Sequence, residues 1–313
     1  MRVVFLGSPE FALPSLRRII ESDHDIAGVF TQPDRPVGRG RRLAPPPVKT
    51  LAIEHGLPVF QPLSISKPEA VEQMRALAPD VAIIAAYGQI LRQRVLDVPR
   101  LGVLNVHASL LPRWRGAAPV PAAILAGDER TGATIMRVVL ALDAGPMLDR
   151  IELPILPEDT AGTVLERIAE AGAELLMRVL PAWEGGAITP QEQDEALATY
   201  APQIKKSDAL IDWQRESAAD ICRKVRAYNP WPIAYSYLDG QPLRVYEAAM
   251  SAERTAAPPG TLVEHGDGIA CAAADAAVVL LRVQGPGGKA LSGAEYRRGH
   301  PDIIGKRLSA KPG

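Results

Sequence analysis

The chain has 313 residues, 47% of them apolar and 23% charged, with a net charge of −1. That length exceeds what one typical core supports and predicts two domains of an ordinary globular protein. No apolar run approaches the roughly 18–20 residues of a membrane span, and residues 3–6 are too short for the core of a signal peptide. Two cysteines, Cys222 and Cys271, make no disulfide framework, so a reducing, cytoplasmic compartment is expected. The near-zero charge is unevenly spread. Residues 1–204 carry 20 basic against 24 acidic side chains, and residues 205–313 carry 15 against 12. A solvated surface explains that difference about as well as a polyanionic partner does. Sharper is the stretch between Asp34 and Glu54, with Arg35, Arg39, Arg41, Arg42, Lys49 and no carboxylate.

In chain order, residues 3–6 read as a buried strand ending at Gly7, followed by a helix from near Pro9 to Ile20. Residues 26–31 form a second apolar run, 48–55 a helical one, 58–60 a short strand and 70–77 another helix. Residues 80–86 (DVAIIAA), 101–106, 134–139 and 147–153 are further strand-length runs with helical stretches between most of them. Strands alternating with helices predict an α/β fold, a Rossmann-like, mostly parallel sheet with helices on both faces. A long helix over 163–184 closes this part, giving a first domain over residues 1–188. Gly/Pro punctuation then marks a linker over 189–206. Residues 207–313 form the second domain. Ser217 opens a helix to Tyr228 as its N-cap. Five short runs follow, with hairpin signals at Asp239-Gly240 and Asp267-Gly268, and predict a small OB-fold-like barrel.

Most motif-like features are bland. The turn after the first strand, GSPEFA, lacks G-x-G-x-x-G, so Gly7 serves a tight turn and a dinucleotide is disfavoured. Residues 285–289 (GPGGK) lack P-loop spacing and read as a turn. The five histidines show no metal-ligand spacing, so no metal is expected, and no G-x-S-x-G elbow supports a serine hydrolase.

Residues 104–119, LNVHASLLPRWRGAAP, stand apart. Asn105 and His107, two apart on a strand, face the same way, at the carboxyl end where α/β sheets bind ligands. Asp143 lies in another turn, LDAGPM, and adjacent strand ends are expected to bring it to His107. There it would hold the imidazole's tautomer and stabilise its cation. Amide, imidazole and carboxylate together suit acyl transfer without a covalent nucleophile.

FLGSPEFA, FTQPDRPVGRGRRL, AAYGQIL, LNVHASLLPRWRGAAP, TGATIM and LDAG resemble the folate-dependent formyltransferases over the N-terminal two-thirds of the chain, and with YNPWP in the last third nearly the whole chain resembles one branch of them. The PDRPxGRG insert and the C-terminal barrel resemble the branch that acts on charged tRNA. The resemblance implies Asn105, His107 and Asp143 as the catalytic trio and 10-formyltetrahydrofolate as co-substrate. It implies a folate slot lined by Ala85, Ala86, Tyr87 and Gly88 and by Ser109, Leu110, Leu111 and Pro112. The acceptor it implies is initiator methionyl-tRNA, met by a monomer through Arg39, with Arg41, Arg42, Lys49, Lys205 and Lys206 as further cationic contacts. Pro146 departs from the polar or acidic residue expected after Asp-x-Gly and bears on the shape of that loop. Two readings of the basic insert stay open: a solvated surface loop, or an arm that orders on an acceptor stem. The rival acceptor is a small-molecule amine: an enzyme for a nucleotide sugar should lack the PDRPxGRG arm, and one for a purine precursor needs neither insert nor barrel.

Overall fold

The computed structural model describes residues 1–37, 42–253 and 255–311. The chain divides into two compact units, one of residues 1–119, 130–154 and 165–201, the other of residues 120–129, 155–164 and 202–313. Among the described residues no helix is long and apolar enough to cross a membrane.

In chain order the elements are β1 (Arg2–Gly7), α1 (Leu13–Ile20), β2 (Asp25–Phe30), β3 (Arg35–Val37), β4 (Arg42–Ala44), α2 (Pro47–Glu54) and β5 (Val59–Phe60). There follow α3 (Pro68–Ala76), β6 (Val81–Ala85), α4 (Gln93–Leu96), β7 (Val103–His107), β8 (Arg115–Gly116) and α5 (Pro119–Ala126). β9 (Arg130–Arg137), β10 (Met147–Pro154), α6 (Ala161–Glu184) and β11 (Tyr200–Ala201) come next. One sheet has the order β10-β9-β7-β6-β1-β2-β5. Its five strands from β7 to β5 are parallel, and β9 and β10 continue it antiparallel. Val3, Val4, Phe5 and Leu6 are all fully buried, so successive side chains of β1 are covered on both faces. That burial is why the strand reads as an unbroken apolar run. Val4 and Leu6 share one cluster with Ala70, Val71 and Met74 of α3. The chain leaves β1 for β2 on one side and later returns to β6 on the other, so the sheet reverses its strand order at the β1–β6 boundary. In such sheets the crevice outside the carboxyl ends of those strands is the ligand position.

Gly7 answers a need for space. A Cβ there would come within 2.8 Å of Ala12 and Phe5 and 3.0 Å of the Ala85 carbonyl oxygen. The basic insert has a regular stem, since β3 and β4 pair antiparallel with Arg35 opposite Ala44 and Pro36 opposite Leu43. Proline forbids a helix but tolerates an edge of extended ribbon. Arg39 and Arg41 lie outside the described residues.

In the second unit α7 (Ala218–Ala227) precedes β12 (Ala234–Leu238), β13 (Gln241–Met250), β14 (Leu262–His265), β15 (Gly268–Ala272), β16 (Ala277–Gln284), β17 (Leu291–Ser292), α8 (Gly293–Gly299) and β18 (Leu308–Ser309). All the pairings in this sheet are antiparallel, in the order β14-β15-β16-β13-β12-β18, with β17 on β16. The two edges meet. Leu262 donates its N–H to the Lys306 carbonyl, and Leu308 donates to that of Gly260, both at 2.8 Å. The sheet therefore curls into a small barrel, which removes exposed strand edges. Asp239-Gly240 is the two-residue hairpin loop expected, both residues at positive φ. The second hairpin turns one residue earlier than expected, at Gly266-Asp267, because Gly268 already pairs with His265.

At the barrel's centre Trp213 is 2% exposed and donates its indole N–H to Ser236 Oγ at 3.1 Å, and Ser236 donates to the Ser309 carbonyl at 2.8 Å. Ser236→Ala strips the indole of its acceptor in a dry site, a loss of about 1–3 kcal/mol. Chemical denaturation followed by tryptophan fluorescence should show a lower midpoint with an unchanged slope. A midpoint equal to wild type would mean the indole finds another acceptor.

Candidate active site

Asn105 and His107 end β7, and Ile84 of β6 pairs with Asn105. Both side chains therefore stand at the carboxyl ends of the parallel strands, beside the reversal point. Asn105 is half-buried, and its amide makes no hydrogen bond to protein among the described residues. His107 is buried and is oriented by Trp114, whose carbonyl oxygen lies 3.2 Å from Nε2. A carbonyl only accepts, so Nε2 carries the hydrogen and the neutral ring keeps its lone pair on Nδ1. Nδ1 is 3.9 Å from Asp143 Oδ2. That is ion-pair distance but too long for a hydrogen bond. Trp114, rather than Asp143 as expected, holds the tautomer.

The route by which Asp143 arrives also differs from the expectation. β9 runs antiparallel to β7, with Leu104 opposite Arg137 and His107 opposite Thr134, so the end of β9 lies at the start of β7. Residues 138–146 must double back to deliver a carboxylate to His107. Asp143 adopts φ 48° to do so. Gly145 passes so close to β9 that a Cβ would stand 1.8 Å from the Arg137 carbonyl oxygen. Pro146 fits this loop through its own carbonyl, which accepts from the Arg137 N–H at 2.9 Å. The Gly116 N–H donates to Asp143 Oδ2 at 2.8 Å.

The two expected slot segments occupy neighbouring strand ends. Ala86 and Gly88 follow β6 exposed and at positive φ. Positive φ at a non-glycine residue such as Ala86 costs energy and clusters at functional sites. Tyr87 is buried, which pushes its pKa well up, and its hydroxyl finds no partner among the described residues. The Tyr87 contribution is thus its backbone, whose carbonyl accepts from Gln32 Nε2 at 3.1 Å. Ala85 is likewise buried, as are Ser109 and Leu111. Ser109 donates its hydroxyl to the Arg113 carbonyl at 2.7 Å, and its own carbonyl accepts from Thr134 Oγ1 at 2.7 Å. Leu111 donates its N–H to the same Thr134 oxygen at 3.2 Å. Leu110 and Pro112 are the partly open members of that segment, and the Leu111–Pro112 peptide is cis.

The expected cations fare differently. Lys49 donates to both oxygens of Asp34 and to Gln61 Oε1, each at 2.8 Å. Gln61 Nε2 also donates to Asp34 Oδ1 at 2.8 Å, and this bond, followed by those from Lys49, holds the Asp34 carboxyl below its ordinary range. Lys49 thus ties the base of the β3–β4 ribbon to α2. Arg42 enters through its backbone in β4. Lys205 and Lys206 are exposed in the second unit.

A family model described as formyl transferase matches residues 1–180, and one for the formyl transferase C-terminal domain matches residues 203–301. The chain belongs to the formyl transferase family. A relative from Methylococcus capsulatus, named methionyl-tRNA formyltransferase, is 49% identical over 98% of this chain and 99% of its own length. One of the same name from Pseudomonas putida is 47% identical over 93% and 94%. Among solved structures, the sugar 3N-formyl transferase WlaRD superposes with a TM-score of 0.68 at 15% identity, covering 92% of this chain and 99% of that one. HypX from Aquifex aeolicus, solved with tetrahydrofolic acid, gives 0.64 at 19% identity over 97% of this chain and 48% of that one. At those identities the likeness concerns the fold alone.

A formyltransferase site needs more residues than the motifs named. Arg115 is 2% exposed and makes a two-bond ion pair with Glu195 at 2.8 and 3.0 Å. Its Nε donates to Gln193 Oε1 at 3.0 Å. Gln193 and Glu195 belong to the stretch expected as a linker, which here pairs β11 with β8 and packs inside the first unit. Arg115 lies within LNVHASLLPRWRGAAP, where the sequence alone marks no role for it. Gln193 had no periodicity or composition to mark it.

At these strand ends Asn105 offers an amide donor that has no hydrogen-bond partner among the described residues. Asn105→Ala should lower formyl-transfer turnover on the order of 10²–10³-fold, as loss of an oxyanion donor does, with folate affinity and melting temperature nearly unchanged. Steady-state kinetics with near-normal turnover would remove Asn105 from the site.

Proposed function

We propose that this chain transfers the formyl group of 10-formyltetrahydrofolate to the α-amine of initiator methionyl-tRNA. The observation that carries the reading is the half-buried, unpartnered amide of Asn105 beside His107 and Asp143, at strand ends where the backbone at Ala86 and Gly88 is open. Relatives named methionyl-tRNA formyltransferase, nearly half identical over almost their full length, support the acceptor. The cytoplasm, where charged tRNA is found, is the compartment this reading requires, and a monomer suffices for it.

The folate supplies an activated formyl carbon. The acceptor nitrogen bonds to that carbon, the carbonyl oxygen takes the negative charge, and the carbon–nitrogen bond to the folate then breaks. Asn105 donates to the developing oxyanion from a position fixed by β7, so little reorganisation is needed as charge appears. His107 keeps Nε2–H on Trp114 and leaves Nδ1 for the proton traffic between attacking and departing nitrogens. When Nδ1 is protonated, Asp143 at 3.9 Å stabilises the resulting cation. Asp143 cannot swing away, because Gly116 holds its carboxylate.

The basic arm is the feature that separates a tRNA acceptor from a small amine. Its stem is structured, and Lys49 is engaged in an ion pair at its base, so phosphate contact is assigned to Arg39 and Arg41, which lie outside the described residues. Phosphate contacts weaken with salt through counterion release. Wild type and Arg39→Ala should be assayed for formylation of charged initiator tRNA and of a nucleotide-linked amino sugar at several salt concentrations. The expected result is activity on tRNA alone, with Arg39→Ala weaker and flatter in its salt slope while folate affinity is unchanged. Preference for the sugar would overturn the acceptor. Identical salt slopes would return the arm to a solvated loop.

A further inference from the structure

We infer that Gln193 is a positioning residue for the reaction: its side-chain amide sets the carboxylate of Asp143 against His107, and the Arg115–Glu195 ion pair sets Gln193. The inference rests on the functional reading above and deepens it. Gln193 is 8% exposed, and its Nε2 donates to the carbonyls of Asp143 at 2.8 Å and Gly145 at 2.7 Å. Its Oε1 accepts from Arg115 Nε at 3.0 Å. Two carbonyls only accept and a guanidinium only donates, so the orientation of this amide is forced. Both polar atoms of the Gln193 side chain are spent on the loop that carries Asp143 or on the arginine that backs it.

The geometry explains why such a clamp is needed. Residues 138–146 double back across β9, with Asp143 at φ 48°, a conformation that surrounding contacts must enforce in a non-glycine residue. Other contacts bear on the same turn, among them the Gly116 N–H on the carboxylate, the Arg137 N–H on the Pro146 carbonyl and the close passage of Gly145 over Arg137. None of these fixes the Asp143 and Gly145 carbonyls. Gln193 fixes both at once, from a different segment. That segment is anchored in turn. Glu195 grips the buried Arg115 with two bonds, Thr199 accepts from Trp114 N–H at 2.9 Å through Oγ1, and Arg115 N–H donates to the Thr199 carbonyl at 2.9 Å. Because Trp114 also orients His107, residues 193–201 hold the carboxylate from one side and the imidazole from the other.

The test compares Gln193→Glu and Gln193→Leu with wild type in the full chain, alone and combined with Asp143→Asn. Gln193→Glu keeps volume and a partner for Arg115 but replaces two donors by acceptors. A space-filling role tolerates it, and a positioning role does not. The expected result is a kcat loss on the order of 10²-fold for misplaced groups, with folate affinity within about twofold of wild type. In the Asp143→Asn background the same change should add little, since residues acting as one unit are not additive. Wild-type kcat in Gln193→Glu, or losses that multiply in the double variant, overturn the inference. Should the Gln193 variants fail to fold, Glu195→Gln, whose side chain is 70% exposed, carries the test with a several-fold kcat loss, again non-additive. One readout needs no acceptor. Hydrogen exchange of the Gly116 amide, which donates to Asp143, should speed at least about tenfold in Gln193→Glu, and unchanged protection overturns the positioning role. Wild type that fails to formylate charged tRNA while the exchange result holds would instead refute the acceptor.

Discussion

The antiparallel pairing of β9 with β7 is the constraint around which the first unit is organised. In a wholly parallel sheet each strand delivers its following loop to the same rim, and residues from adjacent strand ends meet there by default. Here the strand beside β7 runs the other way, so its loop begins at the wrong rim and must be folded back to reach His107. Three local features serve that return: the positive φ of Asp143, the close passage of Gly145 over Arg137, and the buried Gln193 side-chain amide on the carbonyls of Asp143 and Gly145.

This arrangement moves the cost of assembling the site onto residues away from the chemistry. Burying Arg115 is unfavourable unless its charge is paired and its donors are used. Glu195 and Gln193 satisfy it, and Glu195 is held below the ordinary carboxylate range chiefly by its hydrogen bonds from Arg115. The linkage has a definite sign. A carboxylate whose pKa is depressed in the folded state contributes stability above its unfolded value, and the contribution fades as pH falls through the folded one. Because Glu195 is well exposed, solvent screens much of that contribution. Its structural value lies in geometry, since a two-bond guanidinium–carboxylate contact fixes orientation as well as charge.

Much of the fold was legible in the residues because burial leaves a periodic trace. β1 and β6 are apolar on both faces and read as continuous runs, and the Asp239-Gly240 turn declares a hairpin. Asn105 and His107 were legible as a pair because strand periodicity puts them on one face. Other features leave no such trace. The direction of β9 depends on which neighbour it pairs with, so the route of Asp143 could not be read from strand order. Trp114 acts on His107 through a carbonyl that every residue possesses. Gln193 sits in a polar, irregular stretch whose texture is that of a linker, and only its long-range partners give it meaning. The lysine at position 49 looked like a free cation until Asp34 and Gln61 were seen to enclose it.

The central claim is that formyl transfer occurs at the end of β7, between Asn105, His107 and the returned loop of Asp143. A crystal structure with a non-transferable analogue of the formylated folate tests it most directly. The account predicts the formyl oxygen within about 3.2 Å of the Asn105 amide nitrogen, the ring system against the backbone at residues 85–88 and 109–112, and Nδ1 of His107 open to the reacting nitrogen. A formyl group seated elsewhere, with Asn105 still unpartnered, would contradict it.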